Sequence, residues 1–305
     1  MKTYGVIDIG SNTIRLVIYK WEGGAFSALL NKKESAGLAN YVEEDGFLSR
    51  DGIHRAEQVL EEFREILDHV PVEQTYVFAT ASLRNIRNTE LVVERLQESS
   101  GFAVEVISGE EEAAYDFRGA LQATDLRRGL LVDVGGGSTE FVLFEERKQR
   151  SAHSIGIGSL NLYTKYVDGV LPGKKELRAI NTRVRELLEA CLEEERQAQP
   201  QVVCAVGGSA RAAGKLVRAM DEALVEPDGG FPIKALKQLL DLAAEDRGRF
   251  VKLVLRTAPE RIHTIIPGMT VLYRAARYCG AKRILPSPYG VREGYLCARL
   301  EQQHI

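Results

Sequence analysis

The chain has 305 residues, of which 45% are hydrophobic and 27% are charged, and this balance is typical of a globular protein with two domains of ordinary size. The formal net charge is only −3, so no overall field attracts nucleic acid, and any positive charge that holds an anionic partner must be local. No stretch approaches the roughly 18 apolar residues that span a bilayer, and the N-terminal residues lack the regions of a signal peptide. We therefore expect a cytoplasmic protein that binds neither membranes nor nucleic acid.

The first part of the chain predicts strands followed by alternating strands and helices. Residues 3–9, 15–20 and 26–31 form three short apolar segments joined by tight connections, as expected of strands. Apolar residues then recur at helical spacing, at Ile53, Ala56, Val59, Leu60, Phe63 and Leu67. Residues 75–80 and 103–107 are short β-branched runs between helical segments, which favours buried parallel strands.

After residue 123 the pattern starts again. Residues 129–134 and 139–144 predict a strand pair, and apolar residues on one face predict a long helix over about 174–199. Residues 202–206 predict one more strand, helical patterns fill most of the remainder, and 226–232 is the clearest loop.

The restart is an internal sequence repeat. DIGSNTIRLVIY, which begins at Asp8, aligns with DVGGGSTEFVLF, which begins at Asp133, at a constant offset of 125 residues. Such a repeat implies two related α/β halves that face each other across a cleft, with each Asp-Gly turn directed into it. We place these domains at 1–123 and 124–305, with the last helix able to pack back on the first domain.

The two glycine-rich turns predict an anion site. Successive N–H groups in such a turn can converge on an anion, and the missing Cβ atoms let phosphate oxygens approach the backbone. A dinucleotide-binding turn is the rival interpretation, but it requires a helix after the glycines, whereas 139–144 alternates as a strand does. A hairpin is therefore favoured. A hairpin that uses glycine only for its backbone conformation remains an alternative, which two copies with aspartates make less attractive.

Carboxylates flank the second turn. Asp133 and Glu140 are hard oxygen ligands of the kind that Mg²⁺ takes alongside water and phosphate oxygens. The alternative is a pair of solvated carboxylates at a strand end. Three further glutamates, 110–112, open a predicted helix, where their charge suits the helix dipole, although the dipole does not require three. Crowding of carboxylates would raise their pKa values and make one of them a better proton acceptor near neutrality.

Together these motifs resemble the exopolyphosphatase/guanosine pentaphosphate phosphohydrolase (Ppx/GppA) family, within the superfamily of actin, sugar kinases and heat-shock ATPases. The resemblance runs along nearly the whole chain and implies an α/β fold of two duplicated actin-like ATPase (ribonuclease H-like) domains flanking a central cleft. The matching motifs are DIGSNT (8–13), ATASLRN (79–85), ISGEEEA (107–113), DVGGGSTE (133–140), VGGSARA (206–212) and YGVREG (289–294).

The resemblance also implies roles for individual residues. Glu112 falls on the family's general base, which activates water. Asp133 and Glu140 fall on carboxylates next to Mg²⁺ or another divalent cation. The implied phosphate contacts are Ser11, Asn12, Thr13, Arg84, Gly136, Gly137, Ser138, Gly208 and Ser209.

The chain departs from the family pattern at two positions and in length. Where the family usually has Arg-Ala-Asp, this chain has Arg261, Ile262 and His263, and a packing role is favoured for the histidine. Ser209 stands where the family usually has threonine. Long members add helical domains that extend a polyphosphate channel, so we expect this short form to prefer short chains or to act non-processively.

The expected activity is Mg²⁺-dependent release of terminal phosphate from inorganic polyphosphate, with guanosine pentaphosphate as another substrate. An alarmone-binding sensor with little turnover and a kinase of the same superfamily remain alternatives, and a homodimer is compatible with the sequence. Candidates to hold the rest of a polyanion, or else exposed solubilising charges, are Lys174, Lys175, Arg178, Arg211, Lys215 and Arg218.

Overall fold

The computed structural model describes residues 2–22 and 25–302, and internal contacts divide the chain into two compact units, Met1–Gly109 and Glu110–Ile305. The first unit contains β1 (Lys2–Ile9), β2 (Ile14–Glu22), β3 (Ala25–Glu34), α1 (Arg50–His69), β4 (Gln74–Ala79), α2 (Ala81–Arg84), α3 (Thr89–Ser100) and β5 (Val104–Val106).

The second unit is larger and contains more helices. Its elements are α4 (Gly109–Leu121), β6 (Arg128–Val134), β7 (Thr139–Glu145), β8 (Lys148–Ile155), α5 (Ser159–Tyr166), α6 (Lys174–Cys191), α7 (Glu193–Ala198), β9 (Val202–Val206), α8 (Gly207–Met220), β10 (Phe231–Pro232), α9 (Ile233–Glu245), α10 (Arg247–Thr257), α11 (Ile265–Tyr278), β11 (Arg283–Pro286) and α12 (Val291–Gln302).

The sheets of the two units share one topology. The first sheet has the order β3-β2-β1-β4-β5, in which β1, β2 and β3 are antiparallel neighbours and β1, β4 and β5 are parallel. In the second sheet, β8-β7-β6-β9-β11 repeats this order and these directions, and β10 adds an antiparallel edge strand. The predicted α/β class and the predicted duplication are therefore confirmed within the units.

The helix of the first unit shows how the sequence pattern produces these elements. Ser49 caps α1 by accepting a hydrogen bond from the Gly52 N–H at 3.3 Å, which satisfies one of the donors that a helix start leaves open. The apolar stripe of α1 is buried in the core of the unit, as its helical spacing predicts. The buried apolar side chains of this helix are Ile53, Ala56, Val59, Leu60, Phe63 and Leu67.

Helix α4 groups with the second unit, whereas the sequence prediction placed it in the first domain, which ended at residue 123. The reason is its apolar face. Ala113 and Phe117 belong to one buried cluster with Phe144 of β7 and Cys204 of β9, and the Phe117 and Phe144 rings lie 5.3 Å apart. The helix that begins with the three glutamates is thus built onto the second sheet.

The predicted long helix over 174–199 is wrong, because two helices occupy this stretch. Leu192 has φ −116° and ψ 37°, which ends α6, and its side chain is fully buried. The chain then turns so that Glu195 of α7, which is also fully buried, contacts β8. Its carboxylate accepts one hydrogen bond, from the Ser151 hydroxyl at 2.5 Å, and lies 3.2 Å from the His153 ring.

The predicted loop over 226–232 ends in the short strand β10, and Phe231 is fully buried there. None of the helices in the described ranges combines the length and the apolarity needed to cross a membrane.

Candidate active site

The two glycine-rich turns are hairpins with the same closing hydrogen bond. In the first unit Gly10 donates its N–H to the carbonyl of Thr13 at 3.0 Å, and in the second unit Gly135 donates to Ser138 at 3.0 Å. Each turn connects two antiparallel strands, β1 to β2 and β6 to β7. The hairpin interpretation is therefore confirmed over the dinucleotide-binding turn.

Backbone N–H groups inside these turns remain available to an anion. Within the described ranges no backbone carbonyl accepts a hydrogen bond from the N–H groups of residues 11–13 or 136–138. The carbonyls of residues 135–137, by contrast, accept bonds of 2.8 to 3.1 Å from residues 159–161 at the start of α5. Because α5 holds the carbonyl side of the second turn, the N–H side is the one left to bind a ligand.

A third turn joins β9 directly to α8. Gly207 has φ +83°, in the left-handed region that favours glycine, and a Cβ there would lie 2.1 Å from Asp133 Oδ1. The guanidinium of Arg261 packs on the next residue, Gly208, in the space that a Cβ would occupy. Ser209 is 1% exposed, and its hydroxyl has no hydrogen-bond partner among the described residues. The third turn is therefore closely packed around Asp133, with a hydroxyl and a guanidinium beside it.

Two arginines lie near this turn. Burial lowers the pKa of Arg261, and the positive charge of Arg211 lowers it further, which indicates that the two guanidinium groups are neighbours. An anion bound between two such guanidinium groups would offset their repulsion and accept charge-assisted hydrogen bonds from both. Arg211 was among the predicted polyanion contacts, whereas Arg261 was noted only as part of a departure from the family pattern.

His263 packs against an aromatic ring. Its imidazole and the Tyr163 ring lie 5.1 Å apart in an edge-to-face arrangement. Burial and the nearby Arg261 charge lower the pKa of His263, so the ring is neutral at pH 7. These contacts agree with the predicted packing role.

The two predicted metal ligands face each other on the second hairpin. Asp133 of β6 is the direct cross-strand partner of Glu140 of β7. Glu140 is 1% exposed and accepts a hydrogen bond from the Ser154 hydroxyl at 2.8 Å. Like charges directly opposite one another destabilise a sheet, so this pair requires a compensating positive charge or a proton.

Two further carboxyl groups of α4 join this pair. Glu112 is buried in the first turn of the helix, whereas Glu110 and Glu111 are exposed. Asp116 follows one helical turn later and is 0% exposed. We call Glu112, Asp116, Asp133 and Glu140 the carboxylate cluster. The crowding predicted among residues 110–112 thus arises instead between Glu112 and residues distant in sequence.

Burial and mutual repulsion raise pKa values in the carboxylate cluster. The pKa of Asp116 lies well above its usual value, because of burial first and then the charges of Asp133, Glu112 and Glu140. Burial also raises the pKa of Glu140 strongly, followed by the charges of Glu112 and Asp133. A cluster of this kind holds either protons or a cation.

A divalent cation fits the cluster if water and phosphate oxygens complete its coordination. No three His, Cys, Asp or Glu side chains of residues 2–22 and 25–302 converge closely enough to hold a metal unaided. Mg²⁺ usually binds one or two carboxylates and completes its octahedron with water and phosphate oxygens. Asp133 and Glu140 suit that arrangement, because they are direct cross-strand partners and so present two carboxylates side by side.

The first unit holds the other predicted phosphate contacts. Ser11 is buried, and Asn12 and Thr13 are partly exposed in the first turn. Arg84 ends α2 and donates a hydrogen bond to the Ile107 carbonyl at 3.1 Å. The start of α2 is fixed beside the first turn, because the Ser82 hydroxyl and the Thr80 N–H both donate to the carbonyl of Ile9, the residue before Gly10.

The second unit therefore brings together most of the predicted site residues, namely Glu112, Asp133, Gly136, Gly137, Ser138, Glu140, Gly208 and Ser209. Sequence reasoning missed Asp116, Gly207 and Arg261. Asp116 carried a signal, because it follows Glu112 by four residues and so shares its helix face. The other two gave none, because their roles depend on contacts with Asp133 and Gly208 that only the fold creates.

Comparisons with known proteins agree with this architecture. The family model of the Ppx/GppA phosphatase family matches residues 17–303. The solved structure of an exopolyphosphatase from Cytophaga hutchinsonii is similar with a TM-score of 0.85 at 23% identity, covering 99% of this chain and 98% of that one. That of the Aquifex aeolicus PPX-GPPA enzyme has a TM-score of 0.75 at 26% identity, covering 97% of this chain and 99% of that one. With the turns and carboxylates of the motifs in the expected elements, the chain belongs to the Ppx/GppA phosphatase family.

Proposed function

We propose that this protein is a Mg²⁺-dependent exopolyphosphatase, which releases the terminal phosphate of inorganic polyphosphate and also acts on guanosine pentaphosphate. Membership of the Ppx/GppA phosphatase family supports hydrolysis of phosphate compounds in general. The observation that carries the specific proposal is the carboxylate cluster, which places Glu112 in the same buried group as Asp133 and Glu140, beside a turn with open N–H groups.

The backbone binds the terminal phosphoryl group. The N–H groups of residues 136–138 donate to its oxygens, and glycine at two of these positions lets the oxygens approach closely. Arg211 and Arg261 offset the negative charge of the adjoining phosphates. Phosphoryl transfer depends mainly on such positioning and electrostatic stabilisation, because its transition state is loose and its charge is spread over the oxygens.

Glu112 holds and deprotonates the attacking water. The water oxygen forms a bond to the terminal phosphorus while the bridging P–O bond opposite breaks, so that orthophosphate and a chain shorter by one phosphate are released. The proton of the water passes to the Glu112 carboxylate. A divalent cation held by Asp133 and Glu140 would supply positive charge against the phosphate oxygens.

Phosphate release from a panel of substrates tests the proposal. We expect purified protein to release orthophosphate from long and short polyphosphate and from guanosine pentaphosphate, slowly or not at all from ATP, and to lose this activity when EDTA removes Mg²⁺. Phosphate transfer to an added alcohol or carboxylate would instead indicate a kinase. Tight binding of guanosine pentaphosphate without phosphate release would indicate an alarmone sensor.

A further inference from the structure

We propose that Asp116 is a positioning residue for the divalent-cation site: its buried carboxyl group lies against Asp133 and strengthens the attraction of the site for a cation. This inference rests on the cation site of the proposed function and adds a residue that the family motifs do not include. ISGEEEA ends at Ala113, and Asp116 lies three residues beyond it.

Helix α4 directs Asp116 towards the cluster. Residues four apart share a helix face, so Asp116 follows Glu112 on the side of α4 that faces the second sheet. Its carboxyl group is within hydrogen-bonding reach of Asp133 and is affected by the charges of Glu112 and Glu140. Asp116 is therefore a buried member of the cluster rather than a solvated surface acid.

The contact between α4 and α12 closes the other side of Asp116. A Cβ at Gly290, the residue before α12, would lie 3.1 Å from Asp116 Oδ1. Further along the same contact, a Cβ at Gly119 would lie 2.1 Å from the Gly290 carbonyl oxygen, and one at Gly294 would lie 1.8 Å from the Tyr115 carbonyl oxygen. The helices meet backbone to backbone, which leaves Asp116 no route to solvent.

Asp116 lacks the hydrogen bonds that a buried carboxyl group normally has. No N–H or O–H donor in the part of the chain that the structure describes reaches either of its oxygens, and its only polar neighbour within hydrogen-bonding reach is another acid, Asp133, although the side chain is 0% exposed. Most buried polar groups are paired, and a buried acid without a donor costs free energy. Binding of a cation by the cluster explains why a carboxyl group without a hydrogen-bond donor is present at this position.

The charge of Asp116 has opposite effects on the cation-free and cation-bound protein. Without a cation, a fourth acid must either repel the other carboxylates or take up a proton, and each of these destabilises the fold at neutral pH. With a cation, the same acid adds attraction and fixes the Asp133 carboxylate that contacts the ion. Structural support alone would stabilise both states equally, so the two explanations predict different results.

Asp116→Asn, which keeps the side-chain shape and removes the charge, provides the test. We expect Mn²⁺, titrated into the cation-free protein and followed by the EPR signal of the free ion, to bind the variant roughly 10- to 100-fold more weakly than the wild type. We also expect the melting temperature without a cation to rise and the increase caused by Mn²⁺ to shrink. Asp116→Ala should show the same pattern if amide burial perturbs the first variant.

Glu110→Gln is the matched control, because it removes the same charge from an exposed position on the same helix. It should leave Mn²⁺ affinity unchanged. Equal affinity in both Asp116 variants and the wild type, or a lower melting temperature with and without Mn²⁺, would overturn the inference while leaving the proposed function intact. Failure of the wild type to bind Mn²⁺ would contradict the cation site itself, and with it this role of Asp116.

Discussion

At the scale of single residues, the internal repeat shows where the two hairpins differ in charge. Asp8 and Arg15 are cross-strand partners on the first hairpin, and 125 residues later Asp133 and Glu140 are partners on the second. The first pair carries opposite charges, which stabilise a hairpin, whereas the second carries like charges, which destabilise it. The second hairpin has therefore kept a pair of like charges that lowers its stability, and the first hairpin has not. The carboxylate cluster explains this difference, because both residues of the pair belong to it.

Glu112→Gln tests the proposed base. Glutamine keeps the shape and the hydrogen bonding but cannot accept the proton of water, so we expect kcat for polyphosphate to fall roughly 10²- to 10⁴-fold with little change in KM. Steady-state phosphate release measures both constants. Glu111→Gln is the control, because Glu111 is an exposed neighbour with the same charge; should it lose activity while Glu112→Gln keeps it, the assignment is displaced by one residue.

His263 predicts a pH effect on stability. Burial and the Arg261 charge lower the pKa of His263 below its usual 6.5, so acidification through this range protonates the unfolded chain first and favours unfolding. His263→Asn removes this contribution. In urea denaturation between about pH 7.5 and 5.5, the wild type should lose more stability than the variant, and an identical pH dependence of stability in the two proteins would contradict a partly buried, neutral imidazole.

The sequence predicts only those parts of the site that consist of residues close together in the chain. The turns, Glu112 and the flanking carboxylates lie in short sequence motifs, so their chemistry can be predicted from the sequence alone. The packing of Arg261 on Gly208 and the close approach of Gly207 to Asp133 bring together residues far apart in the chain. Such contacts arise from the path of the backbone between elements, which local patterns do not specify.

At the scale of elements, the sequence pattern predicts a strand where the strand is buried and fails to predict it where most of its side chains are exposed. Strands β6 and β7 are almost entirely buried and their apolar runs predict them, whereas β8, KQRSAHSI, is a mostly polar edge strand that the sequence pattern missed. The break between α6 and α7 escaped prediction for a related reason. The apolar periodicity continues into Leu192, so only the burial of Glu195 against β8 reveals the change of direction.

Gly119→Ala tests the contact between α4 and α12. Alanine normally favours a helix over glycine by about 1 kcal/mol, but a Cβ at position 119 would lie 2.1 Å from the Gly290 carbonyl oxygen. Because backbone atoms must move to admit it, we expect the free energy of unfolding to fall by about 1 to 3 kcal/mol. Urea denaturation measures the change.

Gly248→Ala is the matched control for this element. It lies in α10, and the nearest atom to a Cβ there is Asp246 Oδ1 at 3.8 Å. With no clash to relieve, the variant should be as stable as the wild type or more stable by up to about 1 kcal/mol. If Gly119→Ala behaves in the same way, the two helices are not held by backbone contact.

At the scale of the whole molecule, the charge of the protein limits how it would bind the proposed polyphosphate substrate. The net charge is −3, and the partly exposed pair Arg211 and Arg261 supplies local positive charge beside the third turn. Few ion pairs with a long polyphosphate are therefore available for salt to screen. We expect KM for long-chain polyphosphate to rise by no more than about tenfold between 50 and 200 mM KCl, judging from the salt dependence of one or two phosphate contacts.

Kinetic assays at several salt concentrations measure this dependence, with short-chain polyphosphate as the reference substrate. A rise of several hundredfold for the long chain alone would contradict the expectation. It would indicate an extended basic groove of the kind that two copies of the chain could form together.

The strand pairing of the two units shares one irregularity, a register shift at corresponding positions. Pairing between β2 and β3 shifts register between Ile18 and Tyr19, and pairing between β7 and β8 shifts between Leu143 and Phe144, which lie 125 positions later. A register shift is a local irregularity that neither the strand order nor the hairpin turn requires. From its presence at corresponding positions we infer that a single ancestral unit already contained the shift before it was duplicated. A one-residue deletion that restores regular pairing in either hairpin would then remove a feature older than the two-unit protein.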